Sequence, residues 1–153
     1  MKEKTTDVLT DVLKKTGVKH LEQYFDTYHE KIENEEKPFA AYMRSQFRKK
    51  GILQQDVFLA ADLSEGYGYK LISEEKRTKQ RDVILRICIV AGFSLEEVQR
   101  ALKLYGMSPL YPRIKRDAAL IVAINTGIKD LSEVDQILIS YELEPLYACA
   151  PAE

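Results

Sequence analysis

The sequence predicts an all-α protein. Apolar residues recur at spacings of three and four along most of the chain, which is the period of an amphipathic helix. No segment alternates polar and apolar residues with the two-residue period of a strand. A chain of 153 residues with 45% hydrophobic content can also bury a substantial core. We therefore expect about nine helices, arranged as a central domain with helical extensions at both ends.

Two helices are expected ahead of the central domain. Apolar residues align on one face of a first helix, at about 6–15, and of a second helix, at about 18–32. The polar run at 33–36 then suits a linker, and Pro38 suits the first turn of the next helix. We place an N-terminal helical pair at residues 1–36, the central domain at 37–105, and a C-terminal helical pair with a tail at 106–153.

Residues 51–77 predict two short helices joined by a tight turn. Val57, Ala60 and Ala61 fall at helical spacing, and Ser64 is expected to be the N-cap of the second helix. Helices this short need neighbours, which residues 39–50 and 78–104 can supply. A helix-turn-helix presents the start of its second helix to a partner surface, most often the major groove of DNA.

The helices after this pair have recognisable starts and ends. Thr78 is expected to cap a central, buried helix that contains the apolar segment 83–90. Ser94 and Glu97 have the spacing of a capping box. Two further helices are expected at 113–125 and 131–141. Five glycines follow apolar-periodic segments and are expected to end helices, namely Gly17, Gly51, Gly92, Gly106 and Gly127.

Three stretches of the central segment match a known motif in its order along the chain. A glycine, apolar, polar and acidic run is found at Gly51-Ile52-Leu53-Gln54-Gln55-Asp56-Val57, a turn at Asp62-Leu63-Ser64, and a later stretch at Gly92-Phe93-Ser94-Leu95-Glu96-Glu97. With these stretches, residues 39–104 resemble the lambda-repressor/Cro-type (XRE family) helix-turn-helix domain of bacterial regulators. The resemblance implies a lambda-repressor-like core with N-terminal and C-terminal helical extensions.

The chain also departs from the family pattern. Phe47 and Ile72 occupy the positions where the family often carries a buried Arg and Glu, and replacing both members of an ion pair by hydrophobes keeps a core intact. Gly66 and Gly68 lie in the expected recognition helix, where each costs about 1 kcal/mol relative to alanine. We expect that helix to be short or irregular. The family's isoleucine near Gly68 is missing, so its core role passes to Tyr67 or Tyr69.

The resemblance implies sequence-specific binding to the major groove of double-stranded DNA by a bacterial transcriptional regulator. Gln54 and Gln55 would lie near phosphates at the start of the first helix of the pair. Lys49, Lys50, Lys76, Arg77 and Lys79 would contact the DNA backbone. The remaining DNA-binding residues would lie at or near the start of the recognition helix, with Glu65 accepting from cytosine and Lys70 donating to guanine. These residues are Ser64, Glu65, Gly66, Tyr67, Tyr69 and Lys70.

Charge along the chain favours the same segment. Residues 37–81 carry 10 basic and 5 acidic side chains, net +5, whereas 1–36 carry 6 and 9 and 82–153 carry 7 and 10, each net −3. A local basic face is what phosphate contacts require. Mixed charge on solvated helices also fluctuates by chance, so clustering by itself is weak support.

A second function class also fits the sequence. The two glycines, the acidic flanks and the length of chain outside the core fit a helix-turn-helix-derived protein-interaction module, regulatory or antitoxin-like, with weak or no DNA binding. In the DNA-binding class, residues 113–146 are expected to form a homodimer through the stripe Leu131, Val134, Leu138 and Tyr141. The alternative is that this stripe packs back within one chain, on the helix at 78–90 or on the N-terminal pair.

An enzyme is not expected. His20 and His29 are predicted on opposite faces of one helix, Cys88 suits a buried position, and Cys149 lies in the tail. We therefore expect no catalytic residues, no metal and no cofactor. The chain has no disulfide framework, no signal peptide and no apolar run long enough to cross a bilayer, so a cytoplasmic location is expected.

Overall fold

A computed structural model describes residues 2–28 and 37–148, and the regular structure of these residues is entirely helical. The chain divides into two compact units, Met1–Glu35 and Glu36–Glu153. The predicted all-α class is confirmed. In chain order the α-helices are α1 Lys2–Lys14, α2 Leu21–Tyr28, α3 Pro38–Lys50, α4 Gln54–Ala60, α5 Glu65–Ser73, α6 Arg81–Val90, α7 Leu95–Tyr105, α8 Lys115–Thr126 and α9 Leu131–Ser140.

The first unit contains α1 and α2, joined through a 3-10 turn at Val18–His20. That turn holds His20, so the expectation that one α-helix carries both histidines is wrong for His20; His29 lies outside the described residues. Gly17 has an extended backbone, with φ −86°, and is not the left-handed helix end that we predicted. The Thr16 hydroxyl donates to the Val12 carbonyl at 2.8 Å, and that carbonyl also accepts from the Lys15 N–H at 3.1 Å.

The core of the second unit is built around α6. Val83, Ile84, Leu85, Ile87 and Cys88 on this helix are fully buried, as its continuous apolar character predicts. Burial raises the pKa of the Cys88 thiol well above its usual range, because the thiolate would lose its hydration. Cys88 therefore acts as a small hydrophobic residue; Cys149 lies outside the described residues.

The helix ends of the second unit mostly follow the sequence. Ser94 accepts from the Glu97 N–H at 3.2 Å and the Glu97 carboxylate accepts from the Ser94 N–H at 2.8 Å, which confirms the capping box. Four of the predicted C-terminal glycines have left-handed φ, namely Gly51, Gly92, Gly106 and Gly127.

Thr78 does not cap α6, contrary to expectation. The helix begins at Arg81, and the Thr78 hydroxyl accepts from the Gln80 N–H at 3.0 Å. The Thr78 N–H donates to the Tyr105 hydroxyl at 2.9 Å, which ties the loop before α6 to the end of α7. Thr78 therefore orders a loop. Its hydroxyl accepts from a backbone N–H, as an N-cap side chain does, so the sequence does not distinguish the two roles.

The C-terminal helices α8 and α9 pack onto the core of the same unit. Arg116 on α8 forms a two-pronged ion pair with Asp82 on α6, at 2.8 and 2.7 Å. Leu131, Val134 and Leu138 are buried within the chain, so most of the stripe that we expected at a dimer interface already has its partners. These three residues stabilise the fold of one chain. Tyr141, the last member of the stripe, is exposed.

Within residues 2–28 and 37–148, no helix combines the length and the apolar character that crossing a bilayer requires.

Candidate nucleic-acid interface

Helices α4 and α5 form the expected pair of short helices around a tight turn at residues 61–64. Asp62 adopts the left-handed conformation, with φ 58°, which reverses the chain. The Leu63 N–H donates to the Phe58 carbonyl at 2.9 Å and closes the end of α4. The Ser64 hydroxyl accepts from the Tyr67 N–H at 3.3 Å, so Ser64 is the N-cap of α5 as predicted. Its hydroxyl therefore has a structural role at this site.

The two glycines do not make α5 irregular, which corrects our expectation. The helix runs without interruption from Glu65 to Ser73. A Cβ on Gly68 would lie 2.3 Å from a ring carbon of Phe58, whereas a Cβ on Gly66 would meet nothing within 4 Å. Gly68 therefore lets α4 approach α5, and the Phe58 ring occupies the space that a larger side chain would fill.

The two tyrosines beside Gly68 have different roles. Tyr67 is buried, with 5% of its surface exposed, so it takes the core role that the sequence left open between Tyr67 and Tyr69. Its assignment to the DNA-binding surface is wrong because a buried ring cannot contact a base. Tyr69 is 40% exposed, and its ring packs edge-on against Phe58 at 5.0 Å between centroids. Tyr69 is therefore held in place while one side of it stays open.

The open face of α5 carries the other residues predicted to face base edges. Glu65 and Gly66 are exposed, and Lys70 is half-buried. Gly66 has no side chain, so no side chain projects from α5 at that position. Lys76 is also exposed, and its N–H donates to the Lys70 carbonyl at 3.1 Å, which places it directly after the end of α5.

A recess of about 370 Å³ joins α5 to the helices before it. Arg44 and Arg48 line it from α3, Gln54 and Gln55 line it from the start of α4, and Tyr69 lines it from α5. The recess brings together three of the predicted residues and two arginines that the sequence reasoning missed. A signal for them exists in the sequence. Arg44 and Arg48 are four residues apart, so they share a face of α3, next to the core residues Met43 and Phe47.

A second recess, of about 210 Å³, lies on the other side of α4. Asp56 and Glu65 line it with two acidic side chains beside the neutral amide of Gln55, and Leu59, also in its lining, is 80% exposed. Leu53, in the arginine-lined recess, is also largely exposed. Both sides of α4 therefore present an apolar side chain to solvent.

Two of the five predicted phosphate ligands are engaged within the protein. The Lys50 ammonium group lies 2.9 Å from a Glu97 carboxylate oxygen and 5.5 Å from the centre of the Phe93 ring. Arg77 bonds the Glu74 carboxylate and the Tyr105 carbonyl, with its guanidinium 4.1 Å from the Tyr105 ring centre. Lys49, Lys76 and Lys79 are exposed. The cations of the basic surface are therefore these three lysines and Arg48, with Arg44, which itself interacts within the protein, beside Arg48 in the recess.

The Lys50–Glu97 pair predicts a pH dependence of stability. Partial burial would raise the pKa of Glu97, but the hydrogen bonds from the Ser94 N–H and from Lys50 outweigh it, and the pKa is lowered. A carboxyl whose pKa falls on folding stabilises the protein above its unfolded pKa, about 4.3, and loses that contribution as pH falls through the folded value. Glu97→Gln is therefore expected to lose about 1 kcal/mol of unfolding free energy at pH 7, and this loss is expected to shrink as the pH falls through the folded pKa of Glu97.

Urea denaturation of both proteins at several pH values measures this difference. Glu133→Gln removes a charge at an exposed position and supplies the control. A gap between wild type and Glu97→Gln that stays constant with pH would show that the carboxylate charge does not contribute.

No group of three or more His, Cys, Asp or Glu residues able to hold a metal ion occurs in the described part of the chain. His20 is exposed. The polar residues that line the recess at α4 and α5 are cations and amides, and Tyr69 adds one open aromatic ring.

Comparisons with models of protein families, with curated proteins and with solved structures give no match. The resemblance to the lambda-repressor/Cro-type domain accordingly depends on the residues of this chain alone.

Proposed function

We propose that the protein binds double-stranded DNA sequence-specifically, as a bacterial transcriptional regulator of the lambda-repressor-like (XRE) type in the cytoplasm. The observation that carries the proposal is the recess that joins Arg44 and Arg48 to the start of α4 and to Tyr69 on α5. Phosphates are bound by arginines and amides, and bases are read by side chains of a helix set into the major groove. Here the two kinds of group lie side by side.

In this proposal the residues divide into two sets. Arg44, Arg48, Gln54, Gln55 and the exposed lysines contact phosphates and fix the position of the protein on the duplex. Glu65, Gly66, Tyr69 and Lys70 then face the base edges, with Gly66 allowing the backbone of α5 to come close. The set of residues that reads the sequence is small because Tyr67 belongs to the core.

Selection from random-sequence DNA, followed by an electrophoretic shift of the enriched sequence, tests the proposal. We expect one enriched motif whose binding weakens steeply with salt, because each phosphate contact releases about one counterion. If no motif is enriched, or if the affinity measured in the shift does not change with salt concentration, DNA binding is not the function.

Replacing single cations should separate positioning from base reading. Arg48→Ala is expected to weaken binding to all sequences alike and to reduce the salt slope by about one unit. Lys70→Ala is expected to relax preference at one base pair, at a cost of about 1–3 kcal/mol there. Lys103→Ala removes an exposed lysine from α7 and is the control. Uniform weakening by Lys70→Ala would assign Lys70 to a phosphate.

A regulator of this type gains affinity by placing two recognition helices about 34 Å apart, so the proposal includes a homodimer formed through residues 113–146. Since Leu131, Val134 and Leu138 are buried in their own chain, exposed residues such as Ile139 would have to build the contact. Sedimentation of the full chain tests this. A monomer at tens of micromolar would limit the protein to one half-site.

The alternative is a protein-interaction module with the same helix pair. The specific observation in its favour is the exposure of Leu53 and Leu59 on the two sides of α4. Exposed leucines beside a groove are typical of surfaces that bind a protein. This alternative predicts no enriched DNA motif, and it predicts that Leu59→Ser changes partner binding while leaving the unfolding free energy nearly unchanged.

A further inference from the structure

An apolar groove of about 470 Å³ lies between α8 and α9. Ala118, Ala119 and Val122 form its wall on α8, and Ile137 and Leu143 line the opposite side. The two alanines leave the space open because their side chains are small. Val122 is 63% exposed, which is unusual for a large aliphatic side chain beside a cavity. The volume lies in the range of about 300–1,000 Å³ that is typical of small-molecule sites.

One end of the groove is positively charged. Lys115, in the first turn of α8, lines the groove, and Arg113 is exposed two residues earlier. The Lys115 ammonium lies 3.5 Å from the Tyr141 carbonyl, which is longer than an ordinary N–H···O hydrogen bond. The start of α8 adds the positive end of a helix dipole. The groove therefore favours an anionic group at one end and an aliphatic body along the rest.

We propose that this groove binds a linear aliphatic carboxylate. The carboxylate lies against Lys115, and the chain runs along Ala118, Ala119 and Val122 toward Thr126. The length of α8 from Lys115 to Thr126 is about 16 Å, so the site takes a free acid of medium chain length. The Lys115 charge excludes an aliphatic cation, and an alcohol of the same length leaves that charge unpaired. The groove shares no residue with the recess at α4 and α5, although it lies within residues 113–146, where the DNA-binding proposal places a homodimer.

Calorimetric titration of the full chain with octanoate, decanoate and dodecanoate, each below its micelle concentration, tests the site. We expect one carboxylate per chain, with affinity rising about fourfold for each added methylene until the groove is full. Decanol is the matched neutral probe and is expected to bind more weakly than decanoate.

Two variants locate the site. Lys115→Gln is expected to weaken decanoate binding about tenfold and to leave decanol binding unchanged, because only the charge pairing is lost. Lys103→Gln makes the same substitution at an exposed lysine of α7 and is expected to change neither decanoate binding nor decanol binding. Ala119→Leu narrows the groove and is expected to abolish binding of both probes, and circular dichroism verifies that each variant is folded.

Several results would overturn the proposal. If the wild-type protein shows no saturable binding of the carboxylates, the proposal is wrong. It is also wrong if the affinity does not change with the length of the carboxylate. Both results are obtained with the wild-type protein and do not require that the variants fold. Equal loss of decanoate and decanol binding in Lys115→Gln would also contradict it. A second copy of the chain occupies the groove if three results are found together. The protein self-associates, Ala119→Leu abolishes this association, and decanoate does not compete with it.

Discussion

Gly68→Ala is expected to lower the free energy of unfolding by about 3 kcal/mol, near the upper end for overpacking a core. The new Cβ would lie 2.3 to 2.6 Å from three ring carbons of Phe58, well inside van der Waals contact. Phe58 has no room to retreat, since it is fully buried and its ring packs edge-on against Tyr69. The helix pair must then separate or the rings must leave their preferred rotamers. Thermal and urea denaturation followed by circular dichroism measure the loss, with a fall in Tm of about 10 °C.

Gly66→Ala is the matched control, two residues away on the same helix. Its Cβ would meet no atom within 4 Å, so the substitution only removes the entropic cost of glycine and is expected to stabilise by about 0.5 kcal/mol. Opposite signs for the two variants would demonstrate close approach at Gly68. If both variants stabilise the protein, the contact with Phe58 is not as tight as the structure has it. Phe58→Leu combined with Gly68→Ala should recover part of the loss, because leucine lacks the ring.

The local parts of this fold were predictable because they depend on residues close together in the sequence. The Ser64 cap, the Ser94–Glu97 box and the turn at Asp62 each join groups within four residues, and each follows from backbone chemistry that any sequence obeys. The central position of α6 was likewise evident from its nearly continuous apolar surface, which only Arg86 interrupts between Val83 and Val90.

The expectations that the structure corrects have a different cause. They concern residues whose positions depend on contacts between segments far apart in the sequence. Gly68 counts as a helix breaker until Phe58 is known to lie across it, and no periodicity places that ring. Lys50 pairs with Glu97, 47 residues later, and Arg77 reaches Tyr105, 28 residues later. A basic residue near a recognition helix therefore does not by itself identify a phosphate ligand. Which cations remain free depends on tertiary packing that the sequence alone does not reveal.

The candidate site shows the same division. Exposure of Glu65 and Gly66 followed from their place at the start of α5, whereas Lys70, on its open face, is half-buried. Arg44 and Arg48 were missed because the resemblance directed attention to the end of α3, whereas the recess opens along its side. Tyr67 and Tyr69 were indistinguishable in sequence because both flank Gly68, and only the direction of α4 decides which ring is buried.

Asp117→Ala is expected to cost about 3 kcal/mol of unfolding free energy, because removing one member of a buried ion pair leaves the other uncompensated. Asp117 is 1% exposed at the first turn of α8, where it accepts from the Arg81 guanidinium and, at 2.9 Å, from the Tyr111 N–H. It therefore joins α8, α6 and the loop between α7 and α8. Alanine would leave Arg81 with only the Ser108 and Pro109 carbonyls, each at 3.3 Å, and the Tyr111 N–H without its acceptor.

Two further variants separate the charge from the loop contact. Asp117→Asn keeps an acceptor for the Tyr111 N–H and is expected to lose about half as much as alanine. Arg81→Met combined with Asp117→Leu removes both charges and is expected to be more stable than Asp117→Ala alone, since hydrophobic replacement of a whole buried pair is often neutral. Glu133→Ala, at an exposed position of α9, should stay within about 0.5 kcal/mol of wild type. Urea denaturation ranks the four. If Asp117→Ala matches Glu133→Ala, the ion pair does not hold α8 on the core, and the apolar contacts of Leu120 and Ile124 with that core must do so instead.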